Sequence, residues 1–401
     1  MATPKLRFKE FHEDWPKTSF QNLFIFKNGI NASKEQYGSG TKFINVLDII
    51  NNPNGITYDS IIGSVQVSQK EIDKNLVNYG DVVFQRSSET REEVGQSNVY
   101  LSKEPVVFGG FVIRGSAQVP YDPLFMNGLL KTDKVRDQIT QLSGGSTRFN
   151  IGQDSLNKVS IFLPSKEEQT KIATFLSVVD EKISQLSQKL HLLSQYKQGM
   201  MQKLFSQQIR FKADDGSEFG EWEEKKLGEI STTFSGGTPK STNKKFYQGT
   251  IPFIKSGEIS QKHTEQFINE LALKESSAKL VKKGDLLYAL YGATSGQVAI
   301  SQIDGAINQA VLCIRSNLNT IYLLNFFLWK KDSILSTYLQ GGQGNLSAAI
   351  LKEIFVPVPC LEEQTKIANF LSAIDQKIDV VSEQLIQAKL WKKGLLQQMF
   401  V

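Results

Sequence analysis

From Ile172 onward the apolar positions fall four and three residues apart: Ile172, Leu176, Val179, Ile183, Leu186, Leu190 and Leu193. The rhythm breaks at Lys197 and resumes at Met200 and Leu204. This alternation is a heptad seam and predicts a long helix over 165–205. The same spacing returns at Ile367, Leu371, Ile374, Ile378, Val381, Leu385 and Ala388, breaks at Lys392, and resumes at Leu395 and Met399, predicting a second helix over 361–401. The letters repeat too. EEQTKIATFLSVVDEKISQLSQKL from Glu167 returns 195 residues later as EEQTKIANFLSAIDQKIDVVSEQL from Glu362. Two copies that share even a polar interruption mark an internal repeat. A lysine on such a seam sets register and partner at some cost in stability. Ser165, three residues before Glu168, predicts a capping box at the first helix start.

Chain order constrains how the helices pair. The first ends where the second globular segment begins, and the second begins where that segment ends, so paired helices should run antiparallel. Each is roughly 39 residues, about 58 Å at ~1.5 Å per residue. The expected architecture is a coiled-coil rod with a globular domain at each end, related by a pseudo-twofold axis. A second apolar set lies off the seam: Phe175 and Phe370, Val178 and Ala373, Tyr196 and Trp391, Phe205 and Phe400. These either pack on the chain's own globular domains or form a docking face for another subunit, with Phe175, Tyr196, Phe370 and Trp391 as the docking candidates.

The globular segments, 1–164 and 206–360, repeat as well. Leu6-Arg7-Phe8-Lys9 resembles Ile209-Arg210-Phe211-Lys212, each followed by a tryptophan, Trp15 or Trp222. YGSGTKFINVLDI from Tyr37 resembles YQGTIPFIKSGEI from Tyr247, NLVNYGDVVF from Asn75 resembles KLVKKGDLLY from Lys279, and LNKVSIFLP from Leu156 resembles LKEIFVPVP from Leu351. Short β-branched and aromatic runs between Gly, Asn and Asp turns predict strands. Helical patterns are fewer, at Asn127 to Leu142 and Thr320 to Leu339. Each domain therefore reads as α+β with a mixed or antiparallel sheet. Between matching strands the halves diverge into polar loops, including SGGSTRFN from Ser143, QGGQGNLS from Gln340 and SGGTPKSTNKKFYQG from Ser235. Such loops are either solvated turns or donors to phosphates and base edges.

Composition narrows the picture. The length of 401 residues suits two or three domains. No apolar run approaches the roughly 20 residues of a membrane span; Ile321 to Trp329 contains Asn325 and reads as a core helix. MATPKLRFKEF lacks the apolar stretch of a signal peptide. Two cysteines, Cys313 and Cys360, suggest no disulfide framework and a reduced, cytoplasmic setting. The net charge of +5 permits nucleic-acid binding without arguing much for it. No GxxxxGK[ST] loop, no GxGxxG after a strand and no Cys/His zinc spacing occurs, and His12, His191 and His263 are scattered. The expectation is a non-catalytic chain without metal or cofactor. A fused methyltransferase would need a motif such as NPP[FY], which the sequence lacks.

SGGTPKS…YQGTIPFIKSGEI, GDLLYALYGATSGQVAI, GNLSAAILKEIFVPVP and the EEQTKIA-headed helices carry a resemblance over nearly the whole chain. It resembles the DNA-specificity (S) subunit of type I restriction-modification enzymes. The second half follows the pattern more closely; the first has FKNGINASK from Phe26 in place of the SGGTP opening. The resemblance implies two target-recognition domains, each reading half of a bipartite site in double-stranded DNA. The helices would set the unread gap and dock two methyltransferase subunits that use S-adenosylmethionine. Two motor-nuclease subunits using ATP and Mg would complete the restriction enzyme. On that reading the DNA-contact candidates are Arg86, Ser87, Arg91, Arg148 and Asn150 in the first domain. In the second they are Lys240, Thr242, Asn243, Lys244, Tyr291, Thr294, Gln343 and Asn345. The alternative is a coiled-coil scaffold with two protein-binding domains.

Overall fold

In a computed structural model, which describes residues 2–338 and 346–401, the short apolar runs of each half become the same set of sheets. The first half forms an antiparallel sheet in the order Phe24–Asn28, Val112–Ala117, Val82–Gln85, Ser97–Val99. Beside it in sequence, Tyr37–Ile44 pairs antiparallel with Ser64–Val65 and parallel with Val107–Phe108. The second half repeats this order with Ser231–Ser235, Val311–Ser316, Leu286–Ala289 and Val298–Ile300. Its mixed sheet sets Ile251–Ile254 against Phe267–Ile268 and, in parallel, against Gly305–Ile307, with Lys279–Val281 at the edge. A two-stranded ribbon closes each domain, Lys17–Ser19 with Ser160–Phe162 and Glu223–Lys226 with Phe355–Val358. Both domains are α+β, as the sequence pattern implies.

The shared Gly-Asp motif is a turn that feeds a buried strand. Asp81 accepts the Asn78 N–H at 2.9 Å and Asp285 accepts the Lys282 N–H at 2.8 Å. Gly80 and Gly284 hold φ of +88° and +98°, a region open to glycine and strained for other residues. Each aspartate also faces an arginine of the adjacent strand, Arg114 or Arg315.

Two local expectations need correction. Asn127 to Leu142 is not one helix. Pro123–Leu130, capped by Asp122, ends at Lys131, and Asp133–Leu142 restarts after an extended Thr132 (φ −68°, ψ 148°). Nor does Ser165 form a full capping box. Its hydroxyl accepts the Glu168 N–H at 3.3 Å, but the Glu168 carboxylate turns to Arg7 instead. The Thr320–Tyr338 helix does bury Tyr322, Phe326 and Phe327, and Asn325 satisfies its amide donor on the Ile321 carbonyl at 2.9 Å.

The long helices span Lys166–Phe205 and Leu361–Met399. The chain gathers into two units, Met1–Ser187 with Glu383–Val401, and Gln188–Ser382. Each unit takes the N-terminal part of one long helix and the C-terminal part of the other. In the first, Ile172, Leu176 and Val179 share a core with Leu395, Met399 and Phe400. In the second, Ile367, Leu371 and Ile374 share a core with Met201, Leu204 and Phe205. Met201, not the expected Met200, is the buried residue after the lysine break, because Met200 is only half-buried there. Leu186, Val381 and Leu385 are also buried, while Ile183, Leu190 and Ile378 are half-buried. The two breaking lysines have partners. Lys392 bonds Asp180 within the first unit. Lys197 bonds both Asp375 oxygens, at 2.6 and 2.8 Å, within the second.

The repeated EEQ letters form the joint between each helix start and its domain. Glu168 receives Arg7 through two bonds of 2.7 and 2.8 Å, and Glu363 receives Arg210 at 3.1 and 2.8 Å. Gln169 accepts the Asp122 N–H and donates to the Pro164 carbonyl, both at 2.9 Å. Gln364 does the same with Asn319 and Pro359, both at 2.8 Å. Both glutamates are buried, which is tolerable only with charged partners and good geometry. Phe8 and Phe211, next to those arginines, pack edge-on against Phe175 and Phe370.

Candidate nucleic-acid interface

In the first domain the chain leaves its central strand at Arg86. The Arg86 N–H donates to the Phe111 carbonyl at 2.8 Å, and the Ile151 N–H donates to the Arg86 carbonyl at 2.9 Å. Ser87–Ser88 then pairs with Phe149–Asn150. The SGGSTRFN loop closes on itself: Gly144 and Asn150 exchange backbone bonds of 2.9 and 2.8 Å, and Gly145 turns the chain at φ +123°. Arg148 is exposed on that loop, with the Asn150 amide donating to its carbonyl at 3.1 Å. The Arg91 side chain bonds the Thr140 carbonyl at 3.3 Å and sits 5.9 Å from the Phe149 ring. Segments 86–91 and 148–150, far apart in sequence, thus form one patch. Arg86, Ser87, Arg91, Arg148 and Asn150 all lie on it, beside a cleft also lined by Asn28 and Gln153. The three guanidiniums carry several donors each and suit phosphates or guanine edges.

The second domain places its candidates on two loops. Lys240, Thr242 and Lys244 are exposed on the loop before the short turn Lys244–Tyr247. Asn243 is half-buried and structural in part: its carbonyl side-chain oxygen accepts the Lys245 N–H at 3.3 Å. Tyr291 and Thr294 lie on the turn between Leu286–Ala289 and Val298–Ile300. Tyr291 is half-buried against the aromatic core, and that burial pushes its phenol pKa up. Both loops touch the segment 308–310. Thr238 bonds Gln309, and the Leu290 N–H donates to the Ala310 carbonyl at 2.8 Å. Gln343 and Asn345 lie outside the described residues.

Sequence reading passed over that segment and its counterpart, Gly109 to Phe111. The first half has FKNGINASK where the second has the SGGTP opening. A Cβ on Gly236 would fall 1.7 Å from the Ile307 carbonyl oxygen, and one on Gly29 would fall 2.2 Å from that of Gly109. Gly29, in FKNG, therefore makes the same close pass as Gly236. The signal was one glycine at the end of the first strand in both halves.

Of the off-seam helix residues, Phe205 and Phe400 are buried, Phe205 stacking on Trp329 and Phe400 tilting against Phe125. Phe175 and Phe370 are half-buried on Phe8 and Phe211, and Ala373 is exposed. Val178, Tyr196 and Trp391 are exposed, as are Leu192, Val380 and Leu390, which the heptad spacing does not single out. Among the described residues no group of three His, Cys, Asp or Glu could hold a metal, and no helix is long and apolar enough to cross a membrane.

A family model described as the type I restriction modification DNA specificity domain matches the chain twice, at residues 12–194 and 220–390. The putative type I restriction enzyme MjaX specificity subunit of Methanocaldococcus jannaschii is 26% identical, over 98% of this chain and 94% of that protein. A putative type I specificity subunit of Mycoplasma genitalium is 24% identical, over 99% of this chain and 96% of that protein. Among solved structures, the S subunit of a type I restriction-modification system from M. genitalium superposes with a TM-score of 0.61 at 20% identity, covering 100% of this chain and 99% of that one. The HsdS subunit from Thermoanaerobacter tengcongensis gives 0.51 at 18% identity, covering 96% of each chain. These superpositions show a shared fold.

Proposed function

The chain belongs to the type I restriction modification DNA specificity family, and we propose that each of its α+β domains reads one half of a bipartite site in double-stranded DNA. It is a specificity subunit: it chooses the sequence, and partner subunits perform the chemistry. In the first domain Arg86, Arg148 and Asn150 read base edges while Ser87 and Arg91 position the backbone. In the second, Lys240, Thr242 and Lys244 hold phosphate, Asn243 shapes their loop, and Tyr291 and Thr294 face the bases. Phosphate contacts fix register and base contacts supply sequence.

The long helices set the unread gap. Tyr196 and Trp391, exposed there, with the rims of Phe175 and Phe370, dock the methyltransferase subunits. Two methyltransferase and two motor-nuclease subunits complete the assembly in the cytoplasm, and S-adenosylmethionine, ATP and Mg belong to them. The domains proper are 1–164 and 206–360, joined by the helices 165–205 and 361–401.

One observation carries this reading: the same strand order appears twice while the loops at its end differ, as two half-sites of different sequence require. Methylome sequencing of cells expressing the chain with a cognate methyltransferase subunit tests it. A new motif of two short half-sites with a fixed gap is the expected result. No new methylation from an assembled complex would reject it in favour of a protein-binding scaffold.

A further inference from the structure

Backbone bonds put the two domains in residue-by-residue correspondence at the ends of their mixed sheets. The Gly109 N–H donates to the Ile44 carbonyl as that of Asn308 does to Ile254. The Phe43 N–H donates to Gly63 as that of Phe253 does to Gln266. The Asn45 N–H meets the Asp48 carboxylate as that of Lys255 meets Glu258. Phe111 therefore corresponds to Ala310, Ile62 to Glu265, and Leu47 to Gly257. The frames agree and the side chains do not.

In the first domain all three side chains are turned out to solvent: Phe111 is 65% exposed, Leu47 63% and Ile62 96%. The residues beneath them, Ile44, Phe108 and Val112, are fully buried, so the core is already complete without them. Leu47 and Phe111 line one cleft with Tyr37, Phe43 and Gly109, and Ile62 precedes Gly63 on its wall. In the second domain Ala310 is buried and Glu265 is an exposed charge. A local apolar patch that the fold does not need marks a contact surface.

Its neighbours say what it contacts. Arg86 bonds the Phe111 carbonyl through its N–H and reaches the Gly110 carbonyl through Nη1 at 3.4 Å. The patch is thus continuous with the Arg86, Ser87 and Asn150 surface assigned to DNA above. An apolar surface beside the Arg86 guanidinium matches the one apolar group on a base-pair edge, the C5 methyl of thymine in the major groove. We propose that Leu47, Ile62 and Phe111 are a thymine-methyl contact of the first domain, absent from the second. The inference rests on the DNA-reading function proposed above.

The test replaces thymine by deoxyuridine, which removes the methyl and leaves every hydrogen-bonding group in place. The probe is a duplex carrying the bipartite motif found by methylome sequencing, and the protein is the full chain with its methyltransferase subunits. Replacing the thymines of the first half-site should weaken binding about fourfold per contacted methyl, the equivalent of ~0.8 kcal/mol for one buried carbon. The same replacement in the second half-site should change nothing. Phe111→Ala should bind the thymine and deoxyuridine duplexes equally. A first half-site without a T·A pair, or equal affinity of the unaltered protein for both duplexes, overturns the inference while the DNA-reading function stands. Unchanged DNA affinity in Phe111→Ala together with loss of methyltransferase co-purification also overturns it and assigns the patch to protein. Failure of the motif to appear would instead count against the function itself.

Discussion

In the first domain Asp81 is buried at its turn with Arg114 3.8 Å away, whereas in the second Asp285 holds Arg315 through two bonds of 3.0 and 2.6 Å. Burial pushes the Asp81 carboxyl above its ordinary pKa, and the distant Arg114 does not offset it. Burial pushes Asp285 the same way, but Arg315 and the Lys282 N–H outweigh it and hold its pKa low. The backbone of the turn is identical in plan and the electrostatic result is opposite. What repeats in this molecule is the hydrogen-bonded frame; what the side chains do with that frame has drifted independently in each half.

The joints at the helix starts offer the largest test of that comparison. Glu363 accepts the Trp222 indole N–H at 2.8 Å in addition to Arg210, while the Trp15 indole N–H has no partner among the described residues. Glu363→Ala should cost about 3–5 kcal/mol, the usual penalty for stranding a buried charge. Glu168→Ala should cost about 1 kcal/mol less, since no indole N–H is orphaned. Denaturant unfolding of the two variants measures the difference, and equal losses would mean that the Trp222 bond adds nothing.

Next comes recognition. Arg148→Ala should relax the first half-site alone, by about 1–3 kcal/mol for each base pair whose edge it reads. Lys244→Ala should weaken binding to all sequences and lower the salt slope by about one. Titrations over a panel of half-site variants at several salt concentrations separate the two, and a uniform loss for Arg148→Ala would remove it from base readout.

The smallest effect concerns the turns themselves. Asp285→Asn should destabilise the strand Leu286–Ala289 by about 1 kcal/mol, a charged hydrogen bond discounted for the exposure of Arg315. Asp81→Asn should cost less, because its charge is already penalised by burial. The signs under acid also differ. The contribution of Asp285 is present above the unfolded carboxylate pKa of about 3.9 and is lost as pH falls through its lower folded value. Asp81 titrates above that value in the folded state, so its contribution improves as pH falls through its raised pKa. Hydrogen exchange on Leu286–Ala289 and Val82–Gln85 between neutral and acid pH should show opposite shifts on mutation.

The seam, the repeat and the α+β character were readable because each is a local periodicity or a literal recurrence of letters. The EEQ recurrence was visible too, but its meaning was not: Arg7 meets Glu168 across 161 residues, and no spacing rule reports that distance. Asn127 to Leu142 looked continuous because apolar spacing carries across Lys131 and Thr132, where the backbone turns extended and the Thr132 hydroxyl bonds back to the Leu129 carbonyl. The five candidates of the first domain were chosen from loop chemistry, and pairing of Ser87–Ser88 with Phe149–Asn150 gathers them. In the second domain, loop chemistry gave two separate places. Phe111 escaped notice because an aromatic residue beside a valine strand reads as core, and only the folded frame reveals that the core is filled without it.

Apart from the side chains that meet its glutamate, each helix-start joint uses main-chain groups of its domain. Gln169 uses the N–H of Asp122 and the carbonyl of Pro164, and Gln364 uses those of Asn319 and Pro359. Amide and carbonyl groups survive almost any substitution of the side chains that bear them. A domain that keeps its arginine can therefore accumulate new loop residues, or be exchanged for another with the same frame, and still plug into an unchanged helix. The joint behaves like a standard coupling, which lets the recognised sequence change over generations without redesign of the machine that uses it.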